Sequence, residues 1–271
     1  MIYIAVALGV EAKPIIKYFN LKRDNSIKKL QVFKNDRIVL IITGVGSLKS
    51  AIATTYILSQ MKISEKDIFL NIGICGAKRD RYKVGDTVLC NKITNSELKR
   101  SYYPDMLFKH PFKEGGLESF NFPVYSQERV KEDLVDMEGA GIFEASTYFF
   151  QSYQVNFLKI VSDYLDGIVE EKEVENLLNN ALPQVDSWLI ERERFQVEED
   201  ITFSLTEEKR VVELMEKARF TTTMENELRN LLIYYKLCGK DIENILVKYK
   251  DIEIKDKRDS KKILDEIKEL K

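Results

Sequence analysis

The sequence predicts an α/β fold in which a mixed, largely parallel central sheet is flanked by helices and followed by a helical C-terminal extension. Three observations support this prediction. Short apolar strands alternate with helical segments over the first 190 residues. The 271 residues are 44% hydrophobic and 32% charged, which is typical of a globular chain. From about residue 191 onward the pattern is helical to the end.

Each element is predicted from its apolar spacing. Short apolar or β-branched runs predict strands over residues 2–8, 30–33, 37–43, 67–72, 83–90 and 157–161. Apolar residues three and four positions apart predict helices over residues 11–19, 47–61, 127–133, 137–153 and 173–194. The segment 91–122 is polar, aromatic and aperiodic, and it predicts loops with short strands.

The C-terminal part of the chain differs in composition from the rest. Residues 191–200 are dense in charge. Helical patterns then follow over residues 206–217, 223–237, 240–247 and 261–270. These features predict two domains, an α/β domain of residues 1–190 and a helical extension of residues 191–271. The role of the extension is unknown, and its alternating charges favour a helical module for oligomerisation or partner docking over one that contacts nucleic acid.

Composition excludes several classes of function. The 42 basic and 44 acidic residues nearly balance, so the chain as a whole does not attract nucleic acid or an anionic membrane. No apolar run reaches the length of a membrane span, and no signal peptide is recognised, so we expect a cytoplasmic protein. The three cysteines and single histidine lack the spacing of a zinc site, and no metal is expected.

Three acidic residues occur where predicted strands end. Glu11 follows the first strand, Glu138 opens the helix of the VDMEGAG motif, and Asp163 follows the last buried strand. In α/β sheets ligands bind at the ends of strands, so the three carboxylates could converge on one pocket. The pattern also fits a structural interpretation, in which Glu138 and Asp163 only stabilise a helix or turn.

Six motifs resemble the nucleoside phosphorylase superfamily and, within it, the methylthioadenosine/S-adenosylhomocysteine nucleosidase branch. They occur in the family's order and cover roughly residues 1–190. The motifs are IYIAVALGVEAKPI, TGVGSLKSAIAT, NIGICGA, VGDTVL, VDMEGAGIFEAS and KIVSD. The resemblance implies a nucleoside phosphorylase-like fold and an enzyme that cleaves the N-glycosidic bond of a purine nucleoside without a cofactor.

The resemblance also implies roles for individual residues. Asp163 corresponds to the acid that protonates the purine, Glu11 to the carboxylate that activates water, and Glu138 to the residue that holds the ribose. Two carboxylates with opposite protonation needs require different environments. The remaining residues of the implied substrate site are Met137, Gly73, Ile74, Ser162 and Phe120.

The choice between hydrolysis and phosphorolysis depends on arginine. Phosphorolytic relatives carry one arginine in the first glycine turn and another before the G-x-x-G turn. This chain has LGVEAKP in the first turn and Asn71 before the second. Bidentate arginine contacts supply much of the affinity for phosphate, so the sequence favours hydrolysis. A phosphate-dependent phosphorylase is the alternative.

The chain departs from the nucleosidase pattern at three places. Ile74 replaces a small hydroxyl residue, Asp136 replaces a glutamate, and the loop that carries the base-stacking aromatic is short. These departures predict a remodelled base pocket and leave a second alternative, a catalytically silent nucleoside-binding or regulatory protein. The expected partner is a small-molecule nucleoside. Because neighbouring subunits help to close the pocket in the family, we also expect a homo-oligomer.

Overall fold

The computed structural model describes residues 1–167, 169–197, 203–249 and 257–269. The chain divides into two compact units, Met1–Gln196 and Val197–Lys271. Part of the predicted charge-dense segment, residues 198–200, and the end of the last predicted helix, residue 270, lie outside the described residues. None of the helices in the described part of the chain is long and apolar enough to cross a membrane.

The first unit is built on a single ten-stranded sheet. Its strands are β1 (Ile2–Val6), β2 (Lys22–Arg23), β3 (Gln31–Lys34), β4 (Ile38–Ile42), β5 (Ile68–Ala77), β6 (Thr87–Asn95), β7 (Arg100–Tyr102), β8 (Lys113–Ser119), β9 (Leu134–Asp136) and β10 (Val155–Asp163). The strand order is β10-β6-β8-β9-β5-β1-β4-β3-β2, with β7 paired to β6. Because β10 also pairs with β5, five of the strands close into a ring.

The prediction of an α/β fold with a mixed sheet and C-terminal helices is confirmed, but the sheet is not largely parallel. Among the described residues, five strand pairings are parallel and five are antiparallel. Strand β1 is parallel to β4 and β5, and β5 is parallel to β10. The ring closes through antiparallel contacts of β6 with β10 and of β9 with β5, which the apolar pattern of single strands does not predict.

Four helices cover the two faces of this sheet. They are α1 (Gly9–Tyr18), α2 (Ser47–Leu58), α3 (Gly139–Ser146) and α4 (Glu171–Val197). Successive strand residues point to opposite faces, so Tyr3 and Ile4 belong to different hydrophobic clusters. Side chains of α2 and α3 complete the cluster of Tyr3, and side chains of α1 and α4 complete that of Ile4. The unit is therefore a layered structure with a core on each side of the sheet.

Two predicted helices are shorter than expected. In place of a helix over residues 127–133, a single 3₁₀ turn over Gln127–Arg129 precedes β9. There the buried Glu118 carboxylate accepts the backbone N–H groups of Lys131 and Glu132, which a helix would use internally. The helix predicted over residues 137–153 ends at Ser146, and the chain then turns to bury Phe150 against two core aromatic rings.

The second unit is helical and has its own core. Its helices are α5 (Leu205–Lys217), α6 (Thr222–Leu237), α7 (Ile242–Lys248) and α8 (Lys257–Lys268). Ser204, Thr221 and Asp241 each cap a helix by accepting a backbone N–H group. The core contains Leu232 and Tyr235, and the Tyr235 hydroxyl donates to the Ile267 carbonyl at 2.7 Å.

Candidate active site

Glu11 is fixed at the start of α1 by backbone amides from two elements. Its Oε2 accepts the N–H groups of Ala7 and Leu8 at 3.0 and 2.9 Å, and its Oε1 accepts that of Ile74 at 2.9 Å. A Cβ atom at position 73 would lie 2.6 Å from Oε1, so this close approach requires Gly73. Burial raises the pKa of Glu11, although the three amides favour its charged form.

Glu138 lies directly before α3 and is also buried. Its Oε1 accepts the backbone N–H of Gly46 at 2.8 Å, which joins the turn before α2 to the start of α3. Burial, and then the negative charge of Asp136, raise the pKa of Glu138 to about 7. This carboxyl group is therefore able to hold a proton near neutral pH.

Lys159 is a buried cation that sequence analysis missed. It lies within β10, and its ammonium is 2.9 Å from Asp136 Oδ2. Burial disfavours the ammonium, but the carboxylates of Asp136, Glu138 and Glu11 together raise the pKa of Lys159 above its usual value. A lysine inside an apolar strand motif would ordinarily be assigned to solvent, and only its position in KIVSD, four residues before Asp163, links it to the site.

Asp136 connects Lys159 to the start of α3. Besides the lysine, its carboxylate accepts the Ser119 hydroxyl at 2.5 Å and the Gly139 N–H at 2.8 Å. Ser119 Oγ in turn accepts the N–H of Ala140 at 2.9 Å. The end of β8, the end of β9 and the start of α3 are thus held together by one buried network beside Glu138.

Asp163 ends β10 and differs from the other carboxylates in its surroundings. Its Oδ2 is 2.7 Å from the Ser162 hydroxyl, and its Oδ1 accepts the N–H of Leu165 at 2.8 Å. Both partners are local in sequence, and Asp163 is only partly buried. It occupies a more open position than Glu11 or Glu138.

One cavity of about 440 Å³ brings these groups together. Six of the residues predicted for the site line it, namely Glu11, Ile74, Met137, Glu138, Ser162 and Asp163. Gly73 lies behind the wall, against Glu11. The lining also contains Asp136 and Glu171, and the described lining residues include no lysine or arginine.

Phe120 does not reach the cavity wall. It is 8% exposed and packs with Val130 and Leu165 in a small cluster beside the ring of strands. The wall is formed instead by the next residues of the chain, Pro123, Val124 and Tyr125. Tyr125 is 62% exposed, which leaves its aromatic ring available to a ligand. Phe120 directly follows the end of β8 at Ser119, and there its ring packs in the core, an arrangement that the aromatic pattern of this segment also allows.

The cavity has the chemistry of an acid–base site. It combines Glu11, a buried carboxyl group held by three backbone amides, and Glu138, whose pKa is raised to about 7, with the more open carboxyl of Asp163. Such a pairing of environments suits proton transfer to one end of a substrate and from another. Cys75 also lines the cavity, but burial raises the pKa of its thiol well above the usual value, so it is a poor nucleophile.

Comparisons with known proteins agree with this arrangement. The family model described as "Phosphorylase superfamily" matches residues 2–126. A search of curated proteins gives no match.

Solved structures with the same fold include two nucleosidases and a futalosine hydrolase. The Helicobacter pylori 5'-methylthioadenosine/S-adenosylhomocysteine nucleosidase, bound to butyl-thio-DADMe-Immucillin-A, is 18% identical, with 70% of this chain and 97% of that chain covered and a TM-score of 0.57. The Arabidopsis thaliana 5'-methylthioadenosine nucleosidase is 20% identical, with 73% and 96% covered and a TM-score of 0.56. The futalosine hydrolase of Helicobacter pylori is 19% identical, with 70% and 97% covered and a TM-score of 0.57.

At these identities the solved structures establish the fold, and the family model links the N-terminal half of the α/β unit to the superfamily by sequence. Together they confirm that this chain resembles the phosphorylase superfamily, with a nucleosidase-like α/β fold.

Proposed function

We propose that the protein is a nucleosidase that hydrolyses the N-glycosidic bond of a purine nucleoside, with a methylthioadenosine-like or S-adenosylhomocysteine-like substrate. The observation that carries this proposal is the convergence of Glu11, Glu138 and Asp163 on one cavity in a fold similar to that of nucleosidases. The related solved structures include proteins described as nucleosidases and as a futalosine hydrolase.

In the proposed reaction, Asp163 donates a proton to N7 of the purine as the bond from the ribose carbon to the base breaks. The positive charge that develops on the ribose resembles the oxocarbenium-like state of glycoside hydrolysis. Asp163 is able to face the base because it is only partly buried and its two hydrogen-bond partners are local in sequence. Protonation makes the purine a neutral leaving group.

Glu11 activates water on the other side of the bond. It takes one proton from water while the oxygen forms the new bond to the ribose carbon. The three backbone amides hold its carboxylate in one orientation, and its raised pKa brings its basicity closer to neutral pH. Glu138 holds a ribose hydroxyl, and Met137 packs against the sugar.

Hydrolysis is favoured over phosphorolysis by the charge of the cavity. Five acidic side chains line it, and the described lining residues offer no guanidinium or ammonium group to a phosphate dianion. Asn71, which stands where a phosphorylase has arginine, is buried in the sheet and donates to the Ala5 carbonyl at 3.0 Å. Lys159 is near, but its ammonium is paired with Asp136.

The test measures the release of free base by chromatography. Methylthioadenosine, S-adenosylhomocysteine, adenosine and inosine are each incubated with the protein, with and without phosphate. We expect release without phosphate from at least one of them. Release only with phosphate would identify a phosphorylase, whereas calorimetric binding without release would identify a nucleoside-binding protein.

Glu11→Gln is the decisive variant. Loss of the general base should lower kcat by about 10²–10⁴-fold and leave the fold unchanged. Glu173→Gln is the matched control, because it makes the same chemical change at an exposed position of α4 outside the cavity. Full activity of Glu11→Gln would contradict the assigned role.

We also propose that the protein forms a homo-oligomer through α2. Leu48, Ile52 and Tyr56 lie at four-residue intervals on this helix and are exposed, with Leu48 at 75%. The exposed Val45, just before the helix, lines the cavity, so a second copy seated on this stripe would also border the site. Analytical ultracentrifugation should detect a dimer or larger species in the wild type and monomer in Leu48→Asp/Ile52→Asp.

A further inference from the structure

Leu165 adopts a backbone conformation that its side chain disfavours. Its φ is +61°, in the left-handed region that glycine and asparagine usually occupy. The residue lies two positions after Asp163 and lines the cavity. A strained residue at such a position persists only when its surroundings hold it there.

The side chain of Leu165 is anchored on its inner side. It is buried with Phe120, Val130 and Val135 in the small cluster beside the ring of strands. It also fills the space above Gly76, where a Cβ atom would collide with it. The leucine side chain is therefore packed between this cluster and the backbone of β5 at Gly76.

The neighbours of Leu165 are held on the outer side. Arg79 forms an ion pair with Asp166, and its guanidinium lies 4.9 Å from the centre of the Tyr164 ring. The Gln127 amide donates to the Tyr164 carbonyl at 3.4 Å. Contacts on both sides of Leu165 thus restrain the turn that it occupies.

The anchored residue also contacts the site directly, because the Leu165 N–H donates to Asp163 Oδ1 at 2.8 Å. We propose that Leu165 is a positioning residue: its buried side chain holds the left-handed turn, and the turn aims the Asp163 carboxyl at the substrate. The proposal rests on the proposed function of Asp163 as the acid. Leu165 itself transfers no proton.

The test compares Leu165→Ala with Leu165→Gly, with base release from the nucleoside that the wild type cleaves as the readout. Alanine loses the anchor but keeps the penalty for a left-handed backbone, so the turn should relax and kcat should fall. Glycine also loses the anchor, but it adopts the turn without penalty. We expect kcat of the glycine variant to exceed that of the alanine variant by about five- to tenfold, with similar KM.

If Leu165 served only to pack the cluster, the kcat of the glycine variant would not exceed that of the alanine variant. Equal kcat values for the two variants, or a faster alanine variant, would overturn the proposal. Leu177 on α4 gives the matched control, since it is partly buried in a helix. There Leu177→Ala should have the higher melting temperature, because glycine is unfavourable within a helix, whereas at position 165 the glycine variant should be at least as stable.

A second readout is independent of turnover. Amide hydrogen exchange at residue 165, followed by NMR, should be slow in the wild type, faster in the glycine variant, which lacks the anchor, and fastest in the alanine variant. It should also become fast in Asp163→Ala, which removes the acceptor. The same exchange rate in all four proteins would overturn the proposal. If the wild type cleaves no nucleoside, the proposed function fails, and the exchange experiment still decides the role of Leu165.

Discussion

The two halves of the cavity are built in different ways. The inner half is defined by Glu11, Asp136 and Glu138, which are buried and held by backbone amides from several elements, and Lys159 is paired with Asp136. In the outer half, defined by Asp163, Leu165 and residues 123–125, the Asp163 carboxyl group has hydrogen-bond partners local in sequence and is only partly buried. In the proposed function the inner half acts on the sugar and the outer half contacts the base.

The largest expected effect tests the rigidity of the inner half. Lys159→Met should leave Asp136 as a buried charge without its ammonium partner and lower the free energy of unfolding by about 3–5 kcal/mol. Urea unfolding followed by fluorescence measures this effect in the first unit, because the single tryptophan, Trp188, is buried there.

Two further variants make the Lys159 experiment specific. Lys13→Met removes a lysine from an exposed ion pair with Glu175 and should change stability little. Lys159→Met/Asp136→Asn removes both buried charges and should recover part of the loss. A Lys159→Met protein as stable as the wild type would contradict a charge-dependent inner half.

The next effect separates two aromatic residues of the outer half. Phe120→Ala should lower the free energy of unfolding by about 3 kcal/mol, because Phe120 packs in the buried cluster. Tyr125→Ala should leave stability nearly unchanged and raise KM by about five- to tenfold, since a base stacked on an aromatic ring gains about 1–3 kcal/mol. Urea unfolding and steady-state kinetics on both variants check this, and the reverse assignment of effects would show that Phe120 contacts the base.

The smallest effect is the pH dependence of the inner half. Because the pKa of Glu138 is raised to about 7, the folded protein binds a proton there more tightly than the unfolded chain. That contribution to stability is complete below about pH 4.5 and is lost as pH rises through about 7. Between pH 4.5 and pH 8 the free energy of unfolding of the wild type should therefore fall by roughly 3 kcal/mol relative to that of Glu138→Gln. Urea unfolding at several pH values measures the difference, and parallel stability curves would contradict it.

The sequence predicts the inner half better than the outer half. The buried strand β1 is an uninterrupted apolar run and β5 is mostly apolar, and Glu11 follows β1 in α1 while Ile74 lies within β5. The elements that close the ring are less visible, because β8 mixes glycine with charge and β9 is only three residues long. The predicted helix over 127–133 was wrong because the Glu118 carboxylate, distant in sequence, accepts the backbone N–H groups of Lys131 and Glu132.

Two other features could not be predicted because they depend on contacts distant in sequence. The buried charge of Lys159 is stabilised by its ion pair with Asp136, which is 23 positions away in the sequence. The left-handed turn at Leu165 carries no glycine or asparagine signal, and it exists because a distant cluster holds the leucine. The orientation of Phe120 likewise depends on distant contacts, because the buried cluster decides which way its ring faces.

Gly73 has a consequence for evolution and protein engineering. Its missing side chain makes room for the Glu11 carboxylate, so Gly73→Ala would push the proposed general base away from its three amides and leave most of the cavity wall intact. Glycine and alanine codons differ by one nucleotide. A hydrolase of this design thus lies a single point mutation from a receptor, a protein that captures a nucleoside and releases it unchanged.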